Sequence, residues 1–233
     1  NIKNVKICLI KEFELYNTVE INIDNIKIDI ASAREEKYLS PGLNPSVSDS
    51  SIEDDLKRRD FSINSVAYEI SQNKIYDPFN GISHIKRKEL NLLHKDSIRD
   101  DPSRLLRCAK YATRLGFNIS KESLYQAQRV LNNWPWKYTK NNYGFKFPPG
   151  ISIRIRMELS EIFKYDNLTE IIRTLAEWRV LSLLNENIKL DNKFIPKRDL
   201  IIRESFIELL FANLVGPKIE LFSHPSPAFN LSF

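Results

Sequence analysis

Cysteine is scarce in this sequence: Cys8 and Cys108 are the only two in 233 residues. Nothing in their spacing suggests a zinc site or a disulfide framework, so a reducing cytoplasm is the expected setting. Long apolar runs are also missing. None approaches the roughly 18 residues of a membrane span, and no membrane role is expected. The opening NIKNVKICLIKEF lacks the basic, apolar and small-residue succession of a secretory signal. There is no internal repeat or low-complexity tract, and no methionine at the start. The chain ends at HPSPAFNLSF with no evident final element, so both ends are expected to be cuts. What is present suits a soluble chain with a real core: 42% hydrophobic and 28% charged residues. The net charge of +5 leans mildly toward polyanionic partners.

Patterning divides the chain. TVEINIDNIKIDIASA alternates apolar and polar residues around Asp24-Asn25, two residues that tolerate positive φ, and reads as a hairpin. In its second strand Ile26, Ile28 and Ile30 face one way, so Asp29 projects from the opposite face. The following stretch, SAREEKYLSPGLNPSVSDSSIEDDLKRR, is rich in Ser, Pro, Gly and charge and reads as a loop. A helix is expected to begin near Asp60, with Ile63, Val66, Ala67 and Ile70 as its apolar stripe. NKIYDPFNG reads as a short strand running into a turn. From Asp101 onward helices dominate. Leu105, Ala109 and Ala112 trace one, which Gly116 is placed to end. Others are expected near residues 121–131, 151–163, 168–184 and 198–214, with NNWPWKYTKNNYGFKFPPG as a boundary. The expected class is α+β: strands first, then helices.

Individually, the chemistry-bearing stretches have ordinary explanations. Asp101-Pro102 is a good helix entry, because Asp caps exposed N–H groups and Pro at the first helical position loses no hydrogen bond. KRRD reads as a solvated charge cluster. Together they say more. SIEDDLKRRDFSINSVAYEI, KIYDPFNGI and IRDDPSRLLRCAKYATRLGF follow one another at tight spacing, preceded by IDIASAREEKYLSPGLNPSVSDS. This ordered set closely resembles the class II CCA-adding enzymes, the tRNA nucleotidyltransferases, and the related bacterial poly(A) polymerases. The resemblance is strong from Val19 to Phe117, and the later PPGISIRIRMELSEIF and LTEIIRTLAEWRVLSLL match the helical body of that family more loosely.

The resemblance implies roles residue by residue. Arg58, Arg59, Asp60 and Asn64 fill the motif that holds the nucleotide's sugar and phosphates; guanidinium forks suit triphosphate oxygens, while Asp and Asn suit ribose hydroxyls. Asp100, Asp101 and Arg104 align with the family's Glu-Asp-x-x-Arg motif, with Asp100 standing where glutamate is usual. Cytosine and adenine both carry an exocyclic amine beside a ring-nitrogen acceptor, whereas uracil and guanine reverse that edge. A carboxylate and an arginine together accept the first two bases and reject the others. Asp101 and Arg104 are expected to be that protein template, with Arg107 steadying the pair. Arg34 is expected to contact phosphate, and Arg154 and Arg156 to contact RNA by shape and charge. Mg²⁺ is the implied cofactor, held by carboxylates that activate the primer hydroxyl, with Asp29 one candidate ligand.

The implied organisation is the second half of a nucleotidyltransferase head over residues 1–80, a helical neck with the base-reading helix over 81–140, and a helical body over 141–233. The family's Gly-Gly loop ending in Arg-Asp, and its Asp-x-Asp pair, do not occur in this chain. The expectation is therefore a piece of an enzyme that adds C and A to tRNA from CTP and ATP, inactive alone. The alternatives are a poly(A) polymerase, a CC-adding or A-adding enzyme, and a non-catalytic RNA-binding remnant.

Overall fold

A computed structural model of the chain describes residues 7–13, 17–133 and 149–183. The expected helix over 198–214 and most of the expected boundary segment, with its tryptophans, lie outside the described residues. The fold is α+β, as the sequence pattern implies. Strands β1 (Ile7–Phe13), β2 (Thr18–Ile23) and β3 (Ile26–Ala31) form an antiparallel meander. Asp24 and Asn25 both take positive φ, 49° and 69°, which turns β2 into β3 with the twist a two-residue hairpin needs. Glu20 stands opposite Asp29, and Ile21 opposite Ile28.

The stretch expected to be a loop is ordered into three elements. Strands β4 (Arg34–Lys37) and β5 (Ser46–Asp49) pair antiparallel, and helix α1 (Ile52–Lys57) follows. Ser51 caps α1 by accepting from the Asp54 N–H, and three acidic residues occupy its first turn, where the helix dipole favours them. The charge-rich sequence that suggested solvent is a capped helix with Asp55 and Leu56 buried.

The helix expected from Asp60 does not form. Residues Ser62–Asn64 make a single 3₁₀ turn, followed by the hairpin of β6 (Ala67–Glu69) and β7 (Lys74–Tyr76). The Ser and Asn residues explain why: such side chains compete with the helix for backbone groups. Ser65 Oγ donates to the Leu56 and Phe61 carbonyls, and Phe61 bridges to Leu92. Ile70, the last residue of the expected stripe, is exposed.

Helix α2 (Gly81–Arg87) begins where the Asp77 carboxylate accepts the N–H groups of Gly81 and Ile82, at 2.6 and 2.9 Å. A Cβ on Gly81 would lie 2.3 Å from the Ser62 carbonyl oxygen and 2.6 Å from Val66 Cγ2. The obstacle is backbone, which cannot swing aside. Gly81→Ala is therefore expected to destabilise the chain by roughly 3 kcal/mol, at the upper end for overpacking. An unchanged denaturant midpoint would contradict this close approach.

Strand β8 (Glu89–Leu90) pairs in parallel with β9 (Asn118–Ile119), spanning helices α3 (Ser97–Asp100) and α4 (Arg104–Leu115). The stripe expected on α4 is buried, and Gly116 ends the helix at φ 64°, where a residue without Cβ is favoured. Helices α5 (Lys121–Leu131), α6 (Pro149–Ile162) and α7 (Leu168–Glu177) complete the described residues, with a 3₁₀ turn over Val180–Leu183. One apolar cluster joins Ile98, Leu105, Leu106 and Ala109 to α5, α6 and α7. A second joins Cys108 and Ala112 of α4 to Phe61 and Leu90. Helix α4 thus packs on the helices through one face and on the Arg58–Asn64 segment through another, which fixes its polar start against that segment.

Candidate functional site

The two packings leave a cavity of about 790 Å³ between α4, α6, the β4–β5 hairpin and the Arg58–Asn64 segment. Six arginines and three carboxylates line it, an excess of positive charge that suits an anionic ligand. Nine of the twelve residues singled out from the sequence meet here: Arg34, Arg58, Arg59, Asp60, Asn64, Asp101, Arg104, Arg107 and Arg154.

Asp101 and Arg104 stand at the start of α4, each 3% exposed. Asp101 does act as a local cap, since its Oδ1 accepts the Ser103 N–H at 3.1 Å and the Ser103 hydroxyl at 2.6 Å. Its Oδ2 accepts from Arg107 Nη2 at 3.2 Å, and Arg154 Nε lies 3.2 Å from Oδ1. Burial on its own would push this carboxyl up. The charges of Arg107 and Arg154, and then the Ser103 hydrogen bond, outweigh it and hold the group below the usual carboxylate range. Asp101 is therefore an anion at neutral pH. Arg104 donates to Ser97 Oγ at 2.7 Å and to the Arg58 carbonyl at 3.0 Å, and its Nε lies 3.2 Å from Asp60 Oδ1. Capping explains Asp101 in part; nothing about a cap requires Arg104 to be buried.

Arg58 and Arg59 are held by Asp55, a buried residue that the sequence reading passed over. Asp55 Oδ1 accepts from Arg58 Nη2 at 2.7 Å and Oδ2 from Arg59 Nη2 at 3.0 Å. Burial raises the Asp55 carboxyl, but the two arginines outweigh it and hold the group low. Glu36 adds a second grip on Arg58 at 3.0 Å. The Asp55 pairs run at i, i+3 and i, i+4 on α1 and its C-terminal end, a spacing that was legible once the segment is taken as a helix. Tyr38 borders the same cavity, donates to Glu36 and is pushed up to about 12 chiefly by burial, so it stays a phenol.

Arg107 ties the site together. It pairs with Asp60 through Nε and Nη2, at 2.6 and 2.9 Å, with Asp101, and with Glu158 of α6 at 2.9 Å. Glu158 also takes Lys110 at 3.2 Å. Arg154, one turn before Glu158 on α6, donates to Asn44 Oδ1 and to the Gly42 carbonyl, both at 2.9 Å. Its partly exposed guanidinium lines the cavity.

Three expected residues are not brought here. Asp29 is exposed on β3. Asp100 is half-buried and not in the lining; its main-chain carbonyl accepts from Gly42 N, and burial pushes its carboxyl up. Arg156, two residues past Arg154 on α6, is half-buried outside the lining. Among the described residues no group of three or more His, Cys, Asp or Glu side chains is placed to hold a metal ion. Asp29 stands apart from the other carboxylates, so the described residues do not fit the Mg²⁺ that the resemblance implies. No helix among the described residues is long and apolar enough to cross a membrane.

Known proteins resemble this chain in sequence and in fold. Residues 2–91 match the family described as the poly(A) polymerase head domain. The chain is 30% identical over 188 residues to the A-adding tRNA nucleotidyltransferase of Aquifex aeolicus, covering 79% of this chain and 22% of that protein. It is 37% identical over 106 residues to the CC-adding tRNA nucleotidyltransferase of Deinococcus radiodurans, covering 44% and 28%. The fold superposes on a tRNA nucleotidyltransferase complexed with a primer tRNA and an incoming ATP analog. The TM-score is 0.64 at 26% identity, over 82% of this chain and 50% of that one. The chain spans less than a third of the length of the curated relatives it matches. With its ordered motifs and the cavity they enclose, the chain belongs to the class II family of CCA-adding tRNA nucleotidyltransferases.

Proposed function

We propose that this chain carries the nucleotide-selecting part of an enzyme that extends the 3′ end of tRNA, choosing CTP and ATP without a nucleic-acid template. The observation that carries this reading is the burial of Asp101 and Arg104, an acceptor and a donor, in the wall of one arginine-lined cavity. The Asp101 carboxylate accepts the exocyclic amine of cytosine or adenine, and Arg104 donates to the adjacent ring nitrogen. Arg58 and Arg59, held at a fixed spacing by Asp55, and Arg34 take the triphosphate. Asp60 and Asn64 take the ribose hydroxyls. Uracil and guanine set donor against donor at Arg104 and acceptor against acceptor at Asp101, and buried mismatches of this kind are rejected strongly.

The test is equilibrium binding of the four ribonucleoside triphosphates to the chain. CTP and ATP are expected to bind at least about tenfold tighter than UTP and GTP, one charge-assisted hydrogen bond's worth. Equal binding of all four would overturn the reading. Mixed with tRNA lacking its 3′ CCA, CTP, ATP and Mg²⁺, the chain alone is expected to leave the RNA unextended, because its sequence contains neither the Gly-Gly loop nor the Asp-x-Asp pair of the family. Robust extension would refute that.

A second reading differs in product. Relatives bear the names A-adding, CC-adding and CCA-adding, and the A-adding protein of Aquifex aeolicus matches over most of this chain. An A-adding role predicts weak use of CTP for extension by the whole protein, whereas CCA addition predicts use of both nucleotides. Product length separates them.

A further inference from the structure

The residues given to the base edge, the phosphates and the ribose leave part of the cavity wall without a role. Tyr38, Pro45, Val47 and Ile153 also line it, and Tyr38 is the one aromatic side chain among the lining residues. A base gripped only along one edge, by Asp101 and Arg104, can tilt about that edge while both of its faces stay open. A flat, stiff ring laid against one face stops the tilt and takes that face out of water at little cost in side-chain entropy.

Tyr38 follows β4 directly and is tethered at its tip. Its hydroxyl donates to Glu36 Oε2 at 3.3 Å, while Glu36 Oε1 holds Arg58 at 3.0 Å and stands 3.5 Å from Arg34. The tether therefore leads to the arginines assigned to the triphosphate. The charges of Arg104, Asp101 and Arg154 also act on the phenol, which places the ring within reach of the base-reading pair. With its pKa pushed up to about 12, chiefly by burial, the side chain is neutral and sets no negative charge against a triphosphate. Half-buried, it keeps the rest of its surface for the cavity. Pro45, Val47 and Ile153 add apolar wall that suits the flat face of a base rather than its polar edge.

The edge that Asp101 and Arg104 read is common to cytosine and adenine, so this pair treats the two alike. Their faces differ, because a purine offers two fused rings. We propose that Tyr38 is a base-binding residue whose ring stacks on the face of the base read by Asp101 and Arg104, and that it favours ATP over CTP through the larger purine face. This rests on the reading that a nucleotide occupies the cavity.

The experiment measures the affinity of the full chain for ATP, CTP, UTP and inorganic tripolyphosphate, in the parent and in Tyr38→Ala, Tyr38→Leu and Tyr38→Phe. Tyr38→Ala is expected to weaken ATP by about tenfold or more, the scale of one base–aromatic stack, and CTP by less. Tripolyphosphate, which has no base, should bind as before. Tyr38→Leu keeps apolar volume without a flat ring, so it should show the same ordering even if the alanine variant does not fold. Tyr38→Phe keeps the ring and should stay within a few-fold of the parent. The CTP to UTP ratio should hardly move in any of them, since every base has a face to stack. Equal weakening of ATP, CTP and tripolyphosphate would make Tyr38 a prop for Glu36 and Arg58, and overturn the stack. A loss in Tyr38→Phe as large as in Tyr38→Ala would assign the effect to the hydroxyl and overturn it too. Equal binding of CTP and UTP by the parent, with a base-dependent loss in Tyr38→Ala, removes the edge reader and leaves the stack standing. A parent that binds ATP no tighter than tripolyphosphate overturns both.

Discussion

Arg104→Ala is expected to lower the preference for CTP and ATP over UTP and GTP by about 10- to 100-fold, while tRNA affinity changes far less. The asymmetry follows from where the side chain sits. Arg104 is buried at the cavity wall, and its nitrogens are anchored by Ser97 Oγ, the Arg58 carbonyl and Asp60, so its remaining donors are held in fixed directions. Removing it takes away the one donor assigned to the ring nitrogen and lets the cavity accept either edge. There is also a structural penalty. Ser97 Oγ and the Arg58 carbonyl lose a partner, whereas Asp60 keeps Arg107. A loss of about 2–4 kcal/mol is expected, below that for stranding a buried charge outright. Arg104→Lys separates the two effects: it keeps a charge near Asp60 but cannot span Ser97, Arg58 and a base together. Binding at a temperature where each variant is folded is the decisive measurement, and an unchanged nucleotide preference would return Arg104 to a purely structural role.

How much of this was legible in the sequence depended on how local the cause was. The Asp24-Asn25 turn and the end of α4 at Gly116 were readable because both are set by residues that tolerate positive φ at the position concerned. The α4 stripe was readable because its period matches the helix it forms. The same rule misled at Ile63, Val66, Ala67 and Ile70, where the spacing is helical but Ser62, Asn64 and Ser65 give the backbone other partners and Phe61 is drawn to Leu92. Composition misled at residues 32–59. Ser, Pro and charge suggested a loop, yet Ser51 and Asp55 are there to cap a helix and to hold two arginines. The candidate site shows the same division. Motifs nominated its arginines, but Glu36 and Glu158 act across 22 and 51 residues, and no local pattern announces that. Arg154 was nominated for its charge, while its partners in the 42–44 loop emerge only from the fold.

Arg107 carries the largest expected effect on stability. It pairs with Asp60, Asp101 and Glu158, three carboxylates from three parts of the chain. Burial opposes its charge, but Asp60, Asp101 and Glu158 more than compensate and raise the guanidinium well above its ordinary value. Arg107→Met keeps most of the side-chain volume and removes the charge. The acids retain second partners in Arg104, Arg154 and Lys110, so the site is weakened rather than emptied. Removing one partner from a buried network of this kind is expected to cost about 3–5 kcal/mol. The loss has a pH signature. In the parent chain the Asp101 carboxyl lies below its unfolded value of about 3.9, so its stabilising contribution is present above that pH and is lost as pH falls through the folded value. Without Arg107, the strongest charge holding it down, burial pulls the folded value back up. The acid-unfolding midpoint should then move to higher pH in Arg107→Met, in addition to the drop at neutral pH. Arg107→Lys should fall between, since a single ammonium cannot reach all three carboxylates. Denaturant titrations at a series of pH values from neutral down to about 3 would measure both effects, spanning the range in which carboxylates titrate. Equal losses at every pH would mean that Arg107 stabilises the chain by packing alone, and that Asp101 owes its charge to Arg154 and Ser103.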